Sequence, residues 1–200
     1  MLCQATDNTV VTAVPSGVGD AVGVQDRKWF VAIVNNNTER SVEEKLSKSG
    51  YETYVAKQKV IRVWKNGKKA KVDKVLLPSV VFIKCTERER REIVTLPYIN
   101  RFMTNKARTS SKTTTKPIAT VSQREIDTLR FMLGQSDVPV TFTDARYKVS
   151  DKIVIVRGSL RGLEGEVVGT TDSQSEIIVR IDILGCARVE INTTDIEPAR

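Results

Sequence analysis

Hydrophobic residues in the first part of the chain follow two different spacings, and each spacing predicts a different element. The run KWFVAIV at 28–34 is almost entirely apolar, rich in β-branched and aromatic residues and free of a breaker, which predicts a strand. The segment TERSVEEKLSKSG follows, with Val42 and Leu46 four residues apart and Gly50 placed to end a helix. The pattern therefore predicts a strand followed by a helix.

Two strands joined by a tight turn are predicted next. YETYVAKQKVIRVW leads into KNGK, where the Asn66-Gly67 pair is a strong short-range hairpin signal. The second arm ends in a nearly continuous apolar run from Val75 to Ile83, which is typical of a central, well-covered strand. Pro78 lies inside that run and has no N–H to donate to a sheet, so we expect a break or bulge there.

Two further helices have the same signal at their start. Thr86 precedes Glu89 by three residues, and Ser122 precedes Glu125 by three residues. Both pairs fit a capping box, in which the hydroxyl accepts from one end amide and the carboxylate accepts from another. The second of these helices also carries an apolar stripe at helical spacing, formed by Ile126, Leu129 and Leu133.

The order of these elements predicts a two-domain chain of the α+β class. The first domain is expected to be an antiparallel sheet flanked by helices, with a flexible surface loop rich in Ser, Thr and basic residues from Thr104 to Pro117. After the last helix, short strands and turns are typical of a small all-β barrel. The predicted segments are a flexible tail at 1–27, the first domain at 28–134, a linker at 135–146 and the second domain at 147–200.

Composition narrows the function classes. The chain has 200 residues, no histidine and three cysteines far apart, so we expect no disulfide framework, no metal site, no cofactor and no histidine-based catalysis. The sequence contains no apolar run long enough for a membrane span and no secretory signal, which predicts a cytoplasmic protein. The net charge of +8 indicates a polyanionic partner or an acidic protein surface, with an ordinary basic soluble protein as the alternative.

The structure of the glycine-rich stretch VRGSLRGLEGEVVG at 156–169 decides whether the sequence indicates an enzyme or a binding protein. A phosphate-binding loop would need G-x-x-x-x-G-K-[ST] followed by a helix, whereas this stretch has no such lysine and is followed by a strand-like EVVG. A flexible linker is disfavoured by the interspersed valines and leucines. A tight turn between two strands fits, with Gly158 starting the turn and Gly165 at either a positive-φ or a close-packed position.

This turn resembles the KOW motif, which occurs in several transcription and translation proteins. The matching residues are Asp151, Val154, Val156, Gly158, Leu160, Gly162, Gly165 and Val167. The segments KWFVAIV, KNGK, LLPSVVFI, TLPYINRF and VSQREIDTL occur in the order and spacing of the NGN domain of the NusG/Spt5 family. ILGCARVEI is similar to the last KOW strands. The resemblance covers about 28–198 and implies a transcription elongation factor with an NGN domain and an SH3-like KOW barrel.

Several residues depart from the usual family pattern. Ser150 stands where glycine is common, Ser79-Val80 replaces Gly-Tyr after the proline, and Ser159-Leu160 replaces Pro-Phe at the KOW turn. The loop after Thr104 is also longer than in a general NusG. With these changes, the chain resembles a specialised antiterminator paralogue of the RfaH or UpxY sort more than the general factor.

The resemblance implies that the first domain binds the clamp helices, a coiled coil in the largest RNA polymerase subunit, and thereby suppresses pausing or termination. An apolar face that accepts a helical tip is a common mode of recognition. The residues implied in this contact are Ile33 and Leu77, with Pro78, Trp29, Phe30, Val80 and Phe102 as further candidates. A purely structural role in the core is the alternative for each of them.

Nucleic acid is a second implied partner. Eight basic residues and one acidic residue, Asp73, lie between Lys57 and Lys74. This hairpin could contact DNA phosphates or an acidic polymerase surface, and Lys65, Lys68, Lys69 and Lys71 are its candidate contacts. A solvated hairpin tip is the alternative. The resemblance also places Arg40 and Lys45, on the first helix, opposite the non-template DNA strand.

The predicted second domain is expected to recruit a further partner. The resemblance implies a small-subunit ribosomal protein or the termination factor Rho, and the matching positions are Leu160, Leu163, Ile183 and Leu184. Leu163 has barrel core as its alternative role. The β-branched composition favours a permanent barrel over one that refolds into helices. We expect a monomer without enzymatic activity; the alternatives are a ribosome-associated RNA-binding protein and a carboxylate-dependent nuclease.

Overall fold

The computed structural model describes residues 26–105, 117–143, 151–170, 173–181 and 184–199. The first sheet and its hairpin contain β1 Lys28–Ile33, β2 Glu52–Tyr54, β3 Lys57–Val63, β4 Lys69–Val75, β5 Val80–Cys85, β6 Arg101–Phe102 and β7 Thr120–Val121. The helices are α1 Glu39–Lys48, α2 Glu87–Ile93 and α3 Gln123–Gln135. The C-terminal strands are β8 Thr141–Thr143, β9 Lys152–Ile155, β10 Glu164–Thr170, β11 Gln174–Ile181, β12 Gly185–Asn192 and β13 Ile196–Pro198.

The first sheet is built around β1. This strand pairs antiparallel with β5 along its whole length, while β6 and β7 pair with its other edge and β2 extends the sheet beyond β5. Both β1 and β5 are apolar at nearly every position because helices cover both faces of the sheet. The fold is of the α+β class, as the sequence predicts.

Side-chain alternation divides the strand residues of this sheet between two apolar clusters. One face packs against α3, whose buried residues include Ile126, Leu129 and Leu133, the stripe that the sequence predicts. The other face packs against α1 and α2 through Val42, Leu46 and Ile93, among others. Burying a leucine or isoleucine side chain contributes about 1.5–3 kcal/mol, so both faces stabilise the sheet.

The helix boundaries follow from local chemistry. Both predicted capping boxes are confirmed: the Thr86 and Ser122 hydroxyls accept from the amides of Glu89 and Glu125, whose carboxylates accept from the cap amides in return. Helix α1 ends two residues before Gly50, which has a φ of 86°. Glycine reaches that left-handed region without strain, and the end of the helix lies where the sequence predicts it.

The β3–β4 hairpin is a separate two-stranded ribbon in the pairing pattern, closed by the predicted Asn66-Gly67 turn. The Gly67 amide donates to the Trp64 carbonyl at 2.9 Å, and the Trp64 amide donates to the Lys68 carbonyl at 2.9 Å. Gly67 has a φ of 76°, whereas Asn66 is not in the positive-φ region. The turn is therefore a three-residue loop with glycine in the left-handed position, rather than a two-residue turn with both φ angles positive.

The C-terminal strands form a six-stranded antiparallel sheet in the order β13-β9-β10-β11-β12-β8. The stretch 156–169 forms the predicted turn and nearly all of the following strand, with Gly158 and Gly162 at φ of 82° and 89°. A Cβ on Gly165 would lie 2.6 Å from the Ile177 side chain, so this glycine serves close packing. Of the two roles that the sequence left open for Gly165, the structure selects the second.

Strand β8 lies inside the segment predicted as a linker. It pairs with β12, with Phe142 opposite Ala187, and so belongs to the C-terminal sheet. The predicted tail lies mostly outside the described residues, as do the centre of the loop after Thr104 and Ile183. The domain boundaries stay a prediction.

Candidate partner-binding surfaces

An apolar patch lies at the end of β1 and the start of β5, on the sheet face that also carries α3. We call it the Leu77 patch, and it consists of Ile33, Leu76, Leu77, Val80 and Met103. Ile33 is paired with Val80, and the Met103 amide donates to the Val31 carbonyl at 2.8 Å, which brings the two sides of the patch together. Leu77 and Val80 are buried, whereas Ile33, Leu76 and Met103 are partly accessible and the neighbouring Pro78 is exposed.

The other candidates for polymerase contact lie in the core. Phe30 and Phe102 lie on the opposite face of the sheet and contact each other edge to face, with ring centroids 6.1 Å apart. Trp29 shares the face of the patch but is only 2% exposed, and its indole N–H donates to the Gln123 side chain at 2.8 Å. These three residues therefore do not belong to the accessible surface formed by Ile33, Leu76 and Met103.

The break between β4 and β5 is held by a buried carboxylate. Glu39 at the start of α1 is 4% exposed, and its Oε1 accepts from the Ser79 amide at 2.6 Å and from the Asn37 amide at 3.2 Å. Asn37 and Ser79 have φ of 63° and 62°, and in the described part of the chain they are the positive-φ residues other than glycine. Glu39 thus fixes the loop that carries Leu77 and Pro78. The sequence pattern does not reveal this contact because Glu39 and Ser79 are 40 residues apart.

The predicted break at Pro78 is confirmed. Strand β4 ends at Val75 and β5 begins at Val80. The Val34 amide donates to the Ser79 carbonyl at 2.9 Å, so the end of β1 is tied to the same loop. The loop and the end of β1 together position the Leu77 patch.

The basic hairpin is anchored at its base on both faces. Lys57 forms an ion pair with Glu43 of α1 at 3.0 Å, and Asp73 on the same face lies 3.6 Å from Arg40. On the other face the buried Gln58 side chain donates to the Val138 carbonyl at 2.8 Å and accepts from the Val140 amide at 3.0 Å. The arms beyond these contacts are exposed and carry the predicted lysines.

The candidate lysines of the hairpin differ from the two candidate residues of α1 in their contacts. In the described part of the chain, none of the side chains of Lys65, Lys68, Lys69 and Lys71 forms an ion pair. Arg40 instead donates to the Asp73 carbonyl at 2.5 Å. The Lys45 ammonium lies 5.1 Å from the centre of the Tyr98 ring.

Most of the candidate residues of the C-terminal sheet are core. Leu160 and Leu163 are both buried in the apolar cluster that continues into this sheet. The Leu163 amide donates to the Leu160 carbonyl at 3.0 Å, and this hydrogen bond folds the turn back onto the sheet. Leu184 is partly accessible, and Ile183 lies outside the described residues. Leu184 is therefore the described candidate that a partner can reach.

Helix α3 also contacts the C-terminal sheet. Arg124 forms an exposed ion pair with Glu164 at 2.7 Å, which by itself contributes little stability. One apolar cluster contains Leu129 of α3 together with Ile177 and Val179 of β11. The Leu77 patch belongs to this cluster, so the patch is continuous with the apolar packing of both sheets.

Burial and helix capping shift the pKa values of several titratable groups in the described part of the chain. Burial raises the pKa of the Cys85 thiol to about 12 and also raises the pKa of Cys186, so both remain protonated near neutral pH. The Thr86 amide lowers the pKa of the Glu89 carboxyl by donating to it. Within the described ranges no three Cys, Asp or Glu side chains come together as a metal site would need. No described helix combines the length and apolar character of a membrane span.

Comparison with known proteins identifies the family. The family model described as "Transcription termination factor nusG" matches residues 27–130, which is more than half of the chain. The chain is also similar to the transcription termination/antitermination protein NusG of Rickettsia felis, with 22% identity over 187 residues that cover 86% of this chain and 90% of that protein.

Similar solved structures include one described as a domain interaction in Thermotoga maritima NusG, with a TM-score of 0.44, 16% identity and coverage of 87% of this chain and 98% of that chain. A second is the MjSpt4:Spt5 complex, with a TM-score of 0.27, 11% identity and coverage of 86% and 97%. The family assignment depends on the match to residues 27–130. The chain belongs to the NusG family of transcription termination and antitermination factors.

Proposed function

We propose that this protein is a transcription elongation and antitermination factor that binds RNA polymerase through the Leu77 patch. The observation that carries the proposal is the accessible part of this patch, Ile33, Leu76 and Met103, which lies inside the region matched by the family model. The proposed partner is the tip of the clamp helices in the largest polymerase subunit. A helical tip presents a few aliphatic side chains, and a small concave apolar surface can bury them.

The loop held by Glu39 supports this assignment. An interface gains affinity when its contact residues are fixed before binding, because less conformational entropy is lost. Glu39 fixes the backbone next to Leu77, and the pairing of Ile33 with Val80 fixes the other side of the patch. The patch is thus organised in advance for a rigid partner.

The C-terminal sheet is proposed to be a KOW-type module that recruits a second partner, either a small-subunit ribosomal protein or Rho. Support comes from its strand–turn–strand at 152–170, with positive φ at Gly158 and Gly162 and close packing at Gly165. Leu184 is the proposed contact. Since Leu160 is buried here, the ring that most NusG proteins carry at this turn is replaced by a residue that serves the core.

A specialised role as an antiterminator of the RfaH or UpxY sort is proposed on the same residues. Ser79 occupies a position with a φ of 62°, where the family commonly has glycine. In this chain the Glu39 carboxylate stabilises that position by accepting from the Ser79 amide. Leu160 offers no accessible aromatic anchor, and aromatic anchors commonly dominate binding energy. A weaker contact with Rho would favour antitermination over termination.

The hairpin is proposed to contact nucleic-acid phosphates within the elongation complex, with non-template DNA as one source. The lysines of its tip form no ion pair with any described residue and are therefore stronger candidates than Arg40 and Lys45, whose side chains contact Asp73 and Tyr98. Phosphate contacts of this kind are sensitive to salt and blind to sequence.

Binding to purified core polymerase tests the main proposal. Ile33→Asp places a charge in the accessible part of the patch, and we expect polymerase affinity to fall about 30-fold or more, as for a central interface residue. Leu77→Asp should abolish binding. Val94→Asp is the matched control, because Val94 is an exposed valine next to α2, away from the patch. Circular dichroism of each variant establishes whether it is folded.

The outcomes separate the alternatives. A folded Ile33→Asp variant with unchanged polymerase affinity would overturn the proposed surface. Capture of ribosomal RNA in place of polymerase would favour a ribosome-associated protein instead. Transcription of paused templates with wild-type protein should give shorter pauses, and no effect on pausing would contradict the proposed activity.

A further inference from the structure

The tip of the β3–β4 hairpin concentrates exposed apolar side chains. Six large hydrophobic residues are exposed in the described part of the chain, and three of them are Ile61, Val63 and Trp64, with exposed fractions of 65%, 60% and 47%. Solvation of such side chains is unfavourable, and clusters of them commonly mark an interaction surface. Lys57 and Gln58 anchor the base of the hairpin, and among the described residues its tip forms no ion pair with another element.

The tip has two faces with different chemistry. Because side chains alternate along a strand, Ile61 and Val63 lie on one face, opposite Lys71 and Lys69 on the neighbouring strand. Arg62 lies on the other face, and Trp64 follows it at the turn. Both faces therefore combine apolar or aromatic groups with cations.

Arg62 and Trp64 form a preassembled planar surface. The Arg62 guanidinium carbon lies 4.7 Å from the centre of the Trp64 ring, within the range of a cation–π contact. The guanidinium can cover only one face of the indole, and nearly half of Trp64 remains exposed. The five consecutive residues 62–66 line a shallow concavity at this point.

The charge around this surface selects its ligand. Lys65 and Lys68 flank Trp64 at the turn, and Lys69 follows, without an ion pair for any of them among the described residues. A flat aromatic ring surrounded by cations suits a planar base attached to a phosphate chain. Bases in a duplex are already stacked on their neighbours, whereas an unpaired base can stack on a protein ring.

We propose that the hairpin tip binds single-stranded nucleic acid, with an unpaired base stacked on Trp64 and the adjacent phosphates held by Lys65, Lys68 and Lys69. This inference rests on the proposed contact between the hairpin and phosphates, and it adds a preference for unpaired strands. The stack uses no base-specific hydrogen bond, so it tolerates every base. Single-stranded DNA and single-stranded RNA share this chemistry.

Tryptophan fluorescence gives a direct test on the full-length protein. The chain contains two tryptophans, and Trp29 is buried, so quenching by acrylamide should report mainly on Trp64. We expect a ten-nucleotide single-stranded DNA or RNA to quench or shift the emission and to protect it from acrylamide. A duplex of the same sequence should produce a smaller change. Unchanged emission with bound single strands would overturn the proposed stack.

Affinity measurements with labelled oligonucleotides separate the stack from the charge. Trp64→Ala should weaken single-strand binding roughly 5- to 140-fold, the range for losing one base–aromatic stack, and should remove the preference over duplex. Trp64→Phe should restore much of the affinity. Phe131→Ala is the matched control, because Phe131 is an exposed aromatic residue on α3. The separate DNA and RNA strands identify which source binds more tightly.

The salt dependence distinguishes failure of this inference from failure of the proposed phosphate contact. Trp64→Ala removes no charge and should leave the slope of log K against log salt unchanged. Lys65→Gln together with Lys68→Gln should reduce that slope by about 1.4, or about 0.7 per phosphate contact. Salt-dependent binding that is indifferent to Trp64 would overturn the stack alone. A wild-type protein that binds neither single strands nor duplex at low salt would overturn both.

Discussion

Glu39 provides the sharpest test of how this fold positions its proposed polymerase contact. Its buried carboxylate accepts from the Ser79 amide at 2.6 Å and from the Asn37 amide at 3.2 Å. Glu39→Ala removes the carboxylate that accepts from the Ser79 amide. Ser79 itself has a φ of 62°, so the variant loses the contact that stabilises this backbone conformation. We expect the variant to be less stable and the loop next to Leu77 to lose its fixed conformation.

The magnitude follows from the two hydrogen bonds. A hydrogen bond to a charged group contributes about 1.5–3 kcal/mol, and the short bond to Ser79 belongs in that range. The bond to Asn37 contributes little, because this residue is exposed and its amide also has the Asn36 side-chain oxygen at 3.1 Å. The expected loss in the free energy of unfolding is therefore about 2–3 kcal/mol.

Urea denaturation measures this loss. A Trp64→Phe background leaves Trp29 as the fluorophore in the core of the first sheet, and circular dichroism follows the whole chain. Ser79→Gly is the companion variant: glycine adopts the left-handed region without the penalty of about 1 kcal/mol that serine carries there. Ser79→Gly should therefore stabilise the wild-type protein.

The double variant completes the experiment. If Glu39 holds Ser79 in its strained conformation, the two substitutions act on one element, and their effects should be non-additive by more than about 0.5 kcal/mol. A Glu39→Ala variant that loses less than about 0.5 kcal/mol would refute the proposed role of this carboxylate. Strict additivity would refute the coupling to Ser79.

Three further predictions follow from single contacts. Gly165→Ala should destabilise the C-terminal sheet by about 1–3 kcal/mol because its Cβ would overlap Ile177 and the Ile178 carbonyl, whereas Gly169→Ala, with ordinary contacts, should change the midpoint of thermal unfolding little. The pKa of Glu89 is lowered in the folded state, so its contribution to folding stability is present above the ordinary carboxyl pKa and is lost as pH falls through the lowered value. Glu89→Gln should therefore reduce the free energy of unfolding more near pH 7 than near pH 3. Equal losses at both pH values would contradict this prediction. Burial raises the pKa of both Cys85 and Cys186. In a Cys3→Ser variant, these two thiols should therefore not react with a thiol reagent at about pH 8 until denaturant is added. Rapid reaction of the native protein would contradict this prediction.

Local features of this protein could be predicted because their causes lie within a few residues. Each capping box joins residues three apart, the hairpin turn needs only Asn66-Gly67, and Pro78 interrupts a strand because of its own missing N–H. The glycine-rich stretch at 156–169 likewise carries its own turn glycines, Gly158 and Gly162. The family is shown by the match of the family model to residues 27–130.

The candidate site depended on information that the sequence pattern does not contain. Trp29, Phe30 and Ile33 belong to one apolar run, and such a run arises when both faces of a sheet are covered, so it does not reveal which face a partner reaches. Only the packing places Phe30 beneath α1 and α2 and leaves Ile33 partly accessible. The same holds for Leu160, whose burial depends on how the turn folds back onto the C-terminal sheet.

The amino-acid sequence by itself determined the order of the elements, their caps and turns, and the concentration of positive charge on the hairpin. Tertiary structure decided which apolar residues stay accessible, which lysines form no ion pair within the described part of the chain, and which carboxylate holds the strained loop. The physical reason is the distance along the sequence over which each interaction acts. Backbone hydrogen bonds and φ preferences act between neighbours, whereas burial and the contact between Glu39 and Ser79 arise only when distant segments pack together.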